Sequence, residues 1–187
     1  MITKNFKNRL AMLLVNRDYG NTQTSNSYGA LAAVDVSNVT RYLSTAGNVG
    51  FPSVSSEAVV LSATAEGISV GTGDSVETEN YINLEATITS GLSLSLANYV
   101  YGFDNDGNIY REFTVTATNI GDASVTINEI GYKQRMASRT EPGAAGTYSS
   151  NAVFLIDRTK LSTPLTIAPG LSGVIVYRLT PVTNSTP

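Results

Sequence analysis

The sequence predicts an all-β protein, an antiparallel β-sandwich of the Ig-like or jelly-roll-like kind, with a short N-terminal amphipathic helix and an extended arm. The stretch REFTVTATN alternates apolar and polar residues, so that Phe113, Val115 and Ala117 face one way and the threonines face the other. In all, the chain contains seven or more short β-type runs at turn-like spacing. No strand–helix–strand rhythm of a parallel sheet occurs in the sequence.

Residues 1–56 are predicted to form the N-terminal helix and arm, and residues 57–187 the β-sandwich domain. Apolar side chains recur at helical spacing through residues 3–17, and Thr3 can cap the start of that helix. A helix this short needs a surface to pack on, which is either the chain's own sheets or a neighbouring subunit. The Gly-, Asn-, Ser- and Thr-rich segment that follows indicates an extended arm, with one weak strand candidate at residues 31–36.

The predicted strands of the second domain are short and bounded by turn residues. The segment 168–170, Ala-Pro-Gly, fits a turn with glycine at positive φ, after which Ile175, Tyr177 and Leu179 share a face. Residues 134–151, QRMASRTEPGAAGTYSSN, interrupt the pattern and are predicted to be a long exposed loop, which is either a contact surface or a passive connection. Other predicted strands lie at residues 58–62, 67–70, 84–89, 92–100 and 151–158.

The composition argues against catalysis. Only 14% of the residues are charged, and the chain contains no Cys, His or Trp. Ser–His–Asp and Cys–His nucleophilic sites, disulfides and nearly all structural zinc sites are therefore excluded. The sequence predicts a protein that is not an enzyme and that has no cofactor and no metal.

The net charge of −3 is unevenly distributed along the chain. Lys4, Lys7, Arg9 and Arg17 crowd the first 17 residues, whereas residues 57–112 contain nine acids and one base. A basic arm and an acidic middle favour self-association or docking on a charged partner, and ordinary solvated surfaces fit the pattern equally well. The sequence contains no basic patch with interleaved aromatic residues, the pattern that would predict nucleic-acid binding. The predicted interface residues are Lys4, Phe6, Lys7, Arg9, Leu10, Leu13, Leu14, Arg135, Arg139 and Tyr148.

An apolar run at residues 10–15 is shorter than the core of a secretory signal, and no small-residue cleavage site follows it. No other stretch approaches the length needed to span a membrane. The sequence therefore predicts neither export by the usual route nor a membrane-bound protein.

The stretch YGFDNDGNIYREF, residues 101–113, combines acids and a glycine in the manner of a calcium loop. With Gly107 at position 6 of an EF-hand loop, Asp104 and Asp106 occupy positions 3 and 5. Position 12 is then Phe113, so the acid that closes such a site is missing. Because alternation continues on both sides, the Asp-Gly pair predicts a hairpin turn with at most an adventitious cation site.

Two further patterns are weak signals of chemistry. VGTGDS at residues 70–75 has two glycines of a dinucleotide-binding fingerprint, but Val76 replaces the third and no helix follows, so a glycine-rich turn is predicted. The acids of residues 101–113 lie at a solvated turn, where nothing would raise the pKa of one of them as a glycosidase requires. A pair assembled from distant acids, such as Glu85 and Glu129, is left open.

Three longer stretches resemble parts of virion-associated proteins of tailed bacteriophages. They read GISVGTGDSVETENYINLEATI, REFTVTATNIGDASVTINEIGY and FLIDRTKLSTPLTIAPGLSGVIVYRLT. The similar features are the VGTG turn, the acidic tyrosine-containing segment, the threonine-rich strand, the Glu129–Ile130–Gly131 turn and the closing PLTIAPG hairpin. The resemblance covers about residues 67–180.

The resemblance implies a structural component of a phage particle, made in the host cytoplasm and present in the virion in many copies. Its expected partners are other virion proteins and copies of itself, with no direct contact to nucleic acid or membrane. A capsid-associated or head–tail component is favoured, because the basic helix and polar arm suit docking on a larger shell. The alternatives are a tail, baseplate or fibre component, and a carbohydrate-binding adhesin-like module that uses exposed tyrosines such as Tyr101, Tyr132 and Tyr148.

Overall fold

The computed structural model describes residues 2–4, 7, 32–43, 59–139 and 149–180. Within these residues the chain forms eight β-strands joined by turns and irregular segments. All named strand pairs are antiparallel, which confirms the prediction of an all-β protein built from antiparallel sheets. The strands are β1 (Ala32–Val34), β2 (Thr40–Leu43), β3 (Gly67–Gly71), β4 (Leu92–Phe103), β5 (Ile109–Asn119), β6 (Val125–Arg139), β7 (Ser149–Ile167) and β8 (Ser172–Leu179).

The strands are arranged in two sheets. In the five-stranded sheet β1, β2, β6 and β3 follow one another, and β7 also pairs with β6. The three-stranded sheet has the order β4–β5–β8. Pairs β4–β5 and β6–β7 join strands that are consecutive in the chain, whereas β5 and β8 come together from distant parts of the sequence.

One hydrophobic cluster receives side chains from both sheets. Phe113, Val115 and Ala117 of β5 point into it and are fully buried, as their alternation predicted. The Phe113 ring stacks on Tyr132 of the five-stranded sheet, with ring centroids 6.2 Å apart, and on Tyr177 of β8 at 6.1 Å. The same alternation buries the predicted residues of β8, Ile175, Tyr177 and Leu179. An aromatic stack therefore links the two sheets at the centre of the core.

Residues 101–113 contain the predicted hairpin turn, between β4 and β5. Asp104 N donates to Asn108 O at 2.9 Å, and Gly107, at φ 77°, donates from N to Asp104 O at 3.0 Å. The Asp104 carboxylate accepts from the backbone N–H of Asn108 at 2.8 Å and of Asp106 at 3.0 Å, and these bonds, led by that of Asn108, lower its pKa. The carboxylate thus closes the turn. A two-residue Asp-Gly turn of type I′ requires positive φ at both residues, but in this turn only Gly107 has it. The loop between β4 and β5 instead contains the five residues 104–108.

The predicted turn at residues 168–171 is confirmed. Leu171 N donates to Ala168 O at 3.1 Å, and Gly170 has φ 74°. Asn119, buried at the end of β5, donates from N to Leu171 O at 2.9 Å and accepts at O from Gly170 N at 3.0 Å. Its side-chain amide donates to the last carbonyl of β7 at 2.8 Å. Asn119 therefore anchors the turn between β7 and β8.

The prediction of a long exposed loop at residues 134–151 is wrong at both ends. β6 continues to Arg139 and β7 begins at Ser149, so both ends of the stretch are paired strands. Met136 and Ser138 are buried there. Gly and Pro are turn signals for the middle of the stretch alone, and strand pairing on either side outweighs the local preference of the small and polar residues.

The predicted strands at residues 58–62 and 84–89 are also wrong. In the described part of these segments, Val59 and Thr87 each form a single isolated bridge to β3. Alternation in the second segment is misleading because two of its backbone N–H groups donate to the side chain of Glu129 instead of to a neighbouring strand.

Of the predicted N-terminal helix, the structure describes residues 2–4 and Lys7, and the rest lies outside the described residues. The Thr3 hydroxyl donates to Leu155 O at 2.6 Å, and Thr3 N donates to Ile156 O at 2.9 Å. Lys7 N donates to Thr3 O at 3.2 Å, the spacing of one helical turn. Ile2, which forms a bridge to Asp157, and Thr3 are therefore fastened to β7.

Part of the predicted arm, residues 32–43, forms the β1–β2 hairpin. Tyr42 of β2 pairs with Arg139 of β6, which joins the hairpin to the five-stranded sheet. Ala33 is buried in the shared core, and the Asp35 carboxylate closes the hairpin turn by accepting two backbone N–H groups. The predicted boundary between residues 56 and 57 stays a prediction.

Candidate functional site

The most polar part of the interior is a buried ion pair between β6 and β7. Glu129 on β6 is fully buried, and Arg158 on β7 is 1% exposed. Arg158 Nε donates to Glu129 Oε2 at 2.5 Å. A buried charge that loses its partner costs several kcal/mol, so the groups around this pair determine what it can do.

Glu129 accepts further hydrogen bonds from the backbone of the segment after β3. Its Oε1 accepts from Gly73 N at 3.2 Å and from Ala86 N at 2.9 Å. Its Oε2 also accepts from Glu85 N at 3.2 Å. One carboxylate therefore fixes both ends of this segment, and both of its oxygens are occupied by donors of the same chain.

The guanidinium of Arg158 is held on its other side by the same segment. Its two terminal nitrogens donate to Ser75 O at 3.3 and 3.4 Å, and Nη2 lies 3.5 Å from Glu85 Oε2. The ring of Tyr81 lies against the guanidinium, 4.1 Å from centroid to carbon, in cation–π geometry. Ser75, Tyr81, Glu85, Glu129 and Arg158 are called the Arg158 cluster below.

The glycines of VGTGDS make room for the Arg158 cluster. A Cβ at Gly71 would lie 2.6 Å from Ala86 O, and one at Gly73 would lie 2.5 Å from Glu85 Cβ. Both distances are shorter than real side-chain contacts, so the backbone can approach Glu129 this closely only where Cβ is absent. Close packing accounts for the two glycines, and Gly71 ends β3 where the sequence predicted a turn.

The Arg158 cluster brings together Glu85 and Glu129, the distant acids that the sequence left open as a catalytic pair. Glu129 is buried and its oxygens are already bonded, so a substrate has no access to it. The Ser75 hydroxyl, which donates to Glu85 Oε2 at 2.6 Å, and the Ser75 N–H lower the pKa of Glu85. A carboxylate with a lowered pKa is a weak general base for that hydroxyl. The geometry suits fixing the segment after β3.

A second buried polar contact joins the two sheets. Tyr177 OH on β8 donates to Asp157 Oδ2 on β7 at 2.6 Å, and Thr159 Oγ1 donates to the same oxygen at 3.0 Å. Burial, and after it the charge of Asp157, raise the pKa of Tyr177 well above its ordinary value. The phenol therefore stays a neutral hydrogen-bond donor throughout the physiological range.

Lys133 on β6 is a buried cation that should make stability depend on pH. Its Nζ donates to Ser62 O, and burial lowers the pKa of Lys133 from 10.5 to about 8. Between these two values the unfolded chain binds the proton more tightly than the folded chain, so the unfolding free energy rises with pH across that window. Below pH 8 the penalty for burying the charge is fully present.

We expect the unfolding free energy of the wild type, relative to Lys133→Met, to increase by about 2–3 kcal/mol between about pH 7.5 and pH 10.5. Urea unfolding of both proteins at several pH values measures the difference, and the comparison cancels the titration of other lysines and tyrosines. A difference that stays constant with pH would show that Lys133 keeps its ordinary pKa in the folded protein.

Two predicted interface residues near the N-terminus make contacts within the chain. Lys7 Nζ forms an ion pair with Glu79 Oε2, and this hydrogen bond lowers the pKa of Glu79. Lys4, whose side chain is exposed, donates from its backbone N to Glu79 O at 2.8 Å. Glu79 therefore holds this basic segment against the acidic middle of the chain, as the opposite charges of the two regions allow.

The other predicted interface residues are only partly described. Arg135 lies on β6 with its Nε 3.8 Å from Glu66 Oε2, an exposed and therefore weak ion pair. Arg139 pairs with β2 through its backbone. The remaining predicted residues lie outside the described residues: Phe6, Arg9, Leu10, Leu13, Leu14 and Tyr148.

An exposed apolar surface lies at the tip of the β4–β5 hairpin, and the sequence predicted the exposure of only one of its members, Tyr101. Tyr99, Tyr101 and Phe103 of β4 are 40%, 80% and 72% exposed, and Ile109 of β5 is 48% exposed. Tyr99 is opposite Phe113, and Phe103 is opposite Ile109. Since residues opposite each other share a sheet face, all four lie on the same face as Phe113, the face that packs on the core nearer the other end of the strands. They are called the hairpin patch below.

Alternation alone could not reveal the hairpin patch, because it shows which residues share a face but not whether another sheet covers that face. The guanidinium of Arg111 lies 5.5 Å from the Tyr99 ring and 5.4 Å from the Phe113 ring, where the covered face gives way to the exposed one. A usable signal is strand length: β4 has 12 residues and β5 has 11, more than the 5 of β3 and the 8 of β8.

Comparison with models of protein families, with curated proteins and with solved structures found no match to this chain. Among the described residues, no helix has the length and apolar character to cross a membrane. Over the same ranges, no group of three or more acidic side chains is placed to hold a metal ion. The two features that bear on function are the buried Arg158 cluster and the exposed hairpin patch.

Proposed function

We propose that this chain is a non-enzymatic structural protein of a bacteriophage virion, which assembles in many copies through protein–protein contacts. The hairpin patch carries the proposal. Four neighbouring apolar side chains, three of them aromatic, are exposed on one sheet face. Proteins that act alone seldom leave such a group uncovered, and aromatic residues are enriched where proteins meet.

The positions of the resembling segments give separate support. The VGTG segment, the acidic segment with Tyr81 and Glu85, the part of β6 with Glu129 and the strand with Arg158 all meet in the Arg158 cluster; Glu129–Ile130–Gly131 lies within β6 and not in the turn that the sequence predicted. Three of the five features that resemble virion proteins of tailed phages therefore belong to one folded unit. That unit fixes the segment after β3, as a stable building block requires.

We also propose that the two sheets pack as a β-sandwich of the Ig-like or jelly-roll-like kind. The shared hydrophobic cluster, the Phe113 stack and the bond from Tyr177 to Asp157 support this arrangement. Within the virion, the basic N-terminal segment favours a capsid-associated or head–tail position, with a tail, baseplate or fibre position as the alternative. The proposed protein contacts other virion proteins and copies of itself, and neither nucleic acid nor membrane.

A carbohydrate-binding, adhesin-like module is the second candidate, favoured by the 80% exposure of Tyr101. Tyr132, which the sequence placed among the exposed tyrosines, is fully buried and stacked on Phe113, so that prediction was wrong. Its apolar pattern belongs to the core because β6 is covered by the second sheet. Glycan-array binding that is lost in Tyr101→Ala would favour this candidate over assembly.

Quantitative mass spectrometry of purified particles of the encoding phage tests the proposed function. We expect the chain to remain with the particles through density-gradient purification, at a copy number comparable to other structural proteins. Phe103→Asp should lower incorporation, because it places a charge in the hairpin patch, whereas Val176→Asp changes a similarly exposed residue of β8 and should not. Absence of the wild-type chain from purified particles would overturn the proposal.

A further inference from the structure

Strand β4 lies at an edge of the three-stranded sheet, and in the part of the chain that the structure describes β5 is its only partner strand. Half of the backbone N–H and C=O groups of such a strand point away from the sheet. Its sequence, LSLSLANYVYGF, contains no charged residue and no proline, the two residue classes that usually protect an edge from pairing. A bulge between Leu96 and Asn98 divides the strand into two halves.

The two halves are complementary to each other. On the core face, Leu92, Leu94 and Leu96 precede the bulge, and the three aromatic residues of the hairpin patch follow it. An antiparallel copy of β4, related by a two-fold axis at the bulge, would place one set opposite the other. The opposed residues would be Leu92 with Phe103, Leu94 with Tyr101 and Leu96 with Tyr99.

From this self-complementarity we infer that β4 is a dimerisation edge whose occupant is β4 of a second copy of this chain. The pairing joins two three-stranded sheets into one continuous sheet and places the hairpin patch of each copy beside the leucines of the other on the same sheet face. Because β4 carries no charge, the two-fold axis brings no like charges together. The assembly stops at a dimer, since the two-fold contact uses the free edge of β4 in both copies.

A second copy fits this edge better than a strand of another protein. A two-fold contact requires a surface that is complementary to itself, and the order of three leucines, bulge and three aromatics meets that requirement. The opposite edge, β8, lacks it, because Arg178 interrupts the strand and is engaged with Glu112 at 2.8 Å. The inference goes beyond the proposed virion role, since it concerns the isolated chain.

Analytical ultracentrifugation of the full chain tests the inference. We expect a reversible dimer for the wild type and about tenfold or greater weakening in Tyr101→Lys, because two charges then enter the interface opposite leucines. Val176→Lys, a change at a residue of β8 that is 62% exposed, should leave the dimer intact. Tyr101 is 80% exposed, so its substitution should not disturb folding. A monomeric wild type, or a dimer that Tyr101→Lys leaves unchanged, would overturn the inference.

The absence of cysteine from the chain allows the register to be tested as well. Exposed Ser95 and Val100 would face each other across the two-fold axis, while within one copy they lie about 17 Å apart along the strand. Ser95→Cys/Val100→Cys should give a covalent dimer on mild oxidation, and Ser95→Cys/Val176→Cys should not. Equal cross-linking of both would contradict the register. If the wild type is monomeric and Tyr101→Lys still lowers incorporation into particles, the β4 edge binds a different virion protein and the dimer is excluded.

Discussion

Replacing Glu129 with Gln should lower the free energy of unfolding by about 3–5 kcal/mol, the usual cost of leaving a buried charge without its partner. Arg158 is 1% exposed and would lose its closer, fully buried anionic partner, keeping Glu85 at 3.5 Å, without gaining access to water. The amide NH2 of the glutamine would also face a backbone N–H group from which Glu129 now accepts a hydrogen bond, so two donors would point at each other. Urea unfolding followed by far-ultraviolet circular dichroism measures the change.

Glu112→Gln is the matched control for this prediction. Glu112 also pairs with an arginine on a different strand, Arg178, through bonds of 2.8 and 2.9 Å, but this pair is exposed to solvent. Screening by water limits the expected loss to about 0–1 kcal/mol. If Glu129→Gln cost no more than Glu112→Gln, the Arg158 cluster would not be a structural centre of the fold.

Phe113→Ala should destabilise the protein by about 3–5 kcal/mol, because it leaves a cavity where the two sheets meet. The ring is fully buried and stacks on Tyr132 from one sheet and on Tyr177 from the other, so neither neighbour can move into the space without losing its own contacts. Thermal unfolding and urea unfolding should both show the loss, with a lower midpoint in each.

Phe103→Ala removes the same side chain from the exposed end of the hairpin, where 72% of Phe103 is accessible. At concentrations low enough to keep the chain monomeric, its effect should stay within about 0.5 kcal/mol. A loss from Phe103→Ala as large as that from Phe113→Ala would mean that the hairpin patch is covered within a single copy. Both the proposed contact surface and the β4 dimer would then be excluded.

Much of the fold could be predicted from the sequence because its signals are local. Alternation identified the buried residues of β5 and β8, and Gly107 and Gly170 marked their turns through the positive φ that glycine adopts freely. The ends of the strands were less accessible. Residues 134–139 look like loop residues, and only their partners on β7 make them strand.

The Arg158 cluster could not be predicted, because its members are far apart in sequence and meet only in the folded chain. Sequence reasoning named Glu85 and Glu129 as distant acids but gave no sign that Arg158 lies between them. Gly71 and Gly73 were the available signal, since glycines at the end of a β-type run often mark a place where another part of the backbone approaches closely. What approaches them is a matter of tertiary structure.

The separation of β5 and β8 along the chain sets an order of events during synthesis. The β4–β5 hairpin needs only its own turn and can form in microseconds, before residues 172–179 have left the ribosome. Until β8 arrives, β5 offers an open edge and the apolar row from Phe113 to Ala117 lacks part of its cover. Because closing the long loop to β8 costs more chain entropy than closing the hairpin turn, we expect β8 to join after the hairpin has formed, and the interval before it exposes the open edge of β5 to pairing with the wrong strand.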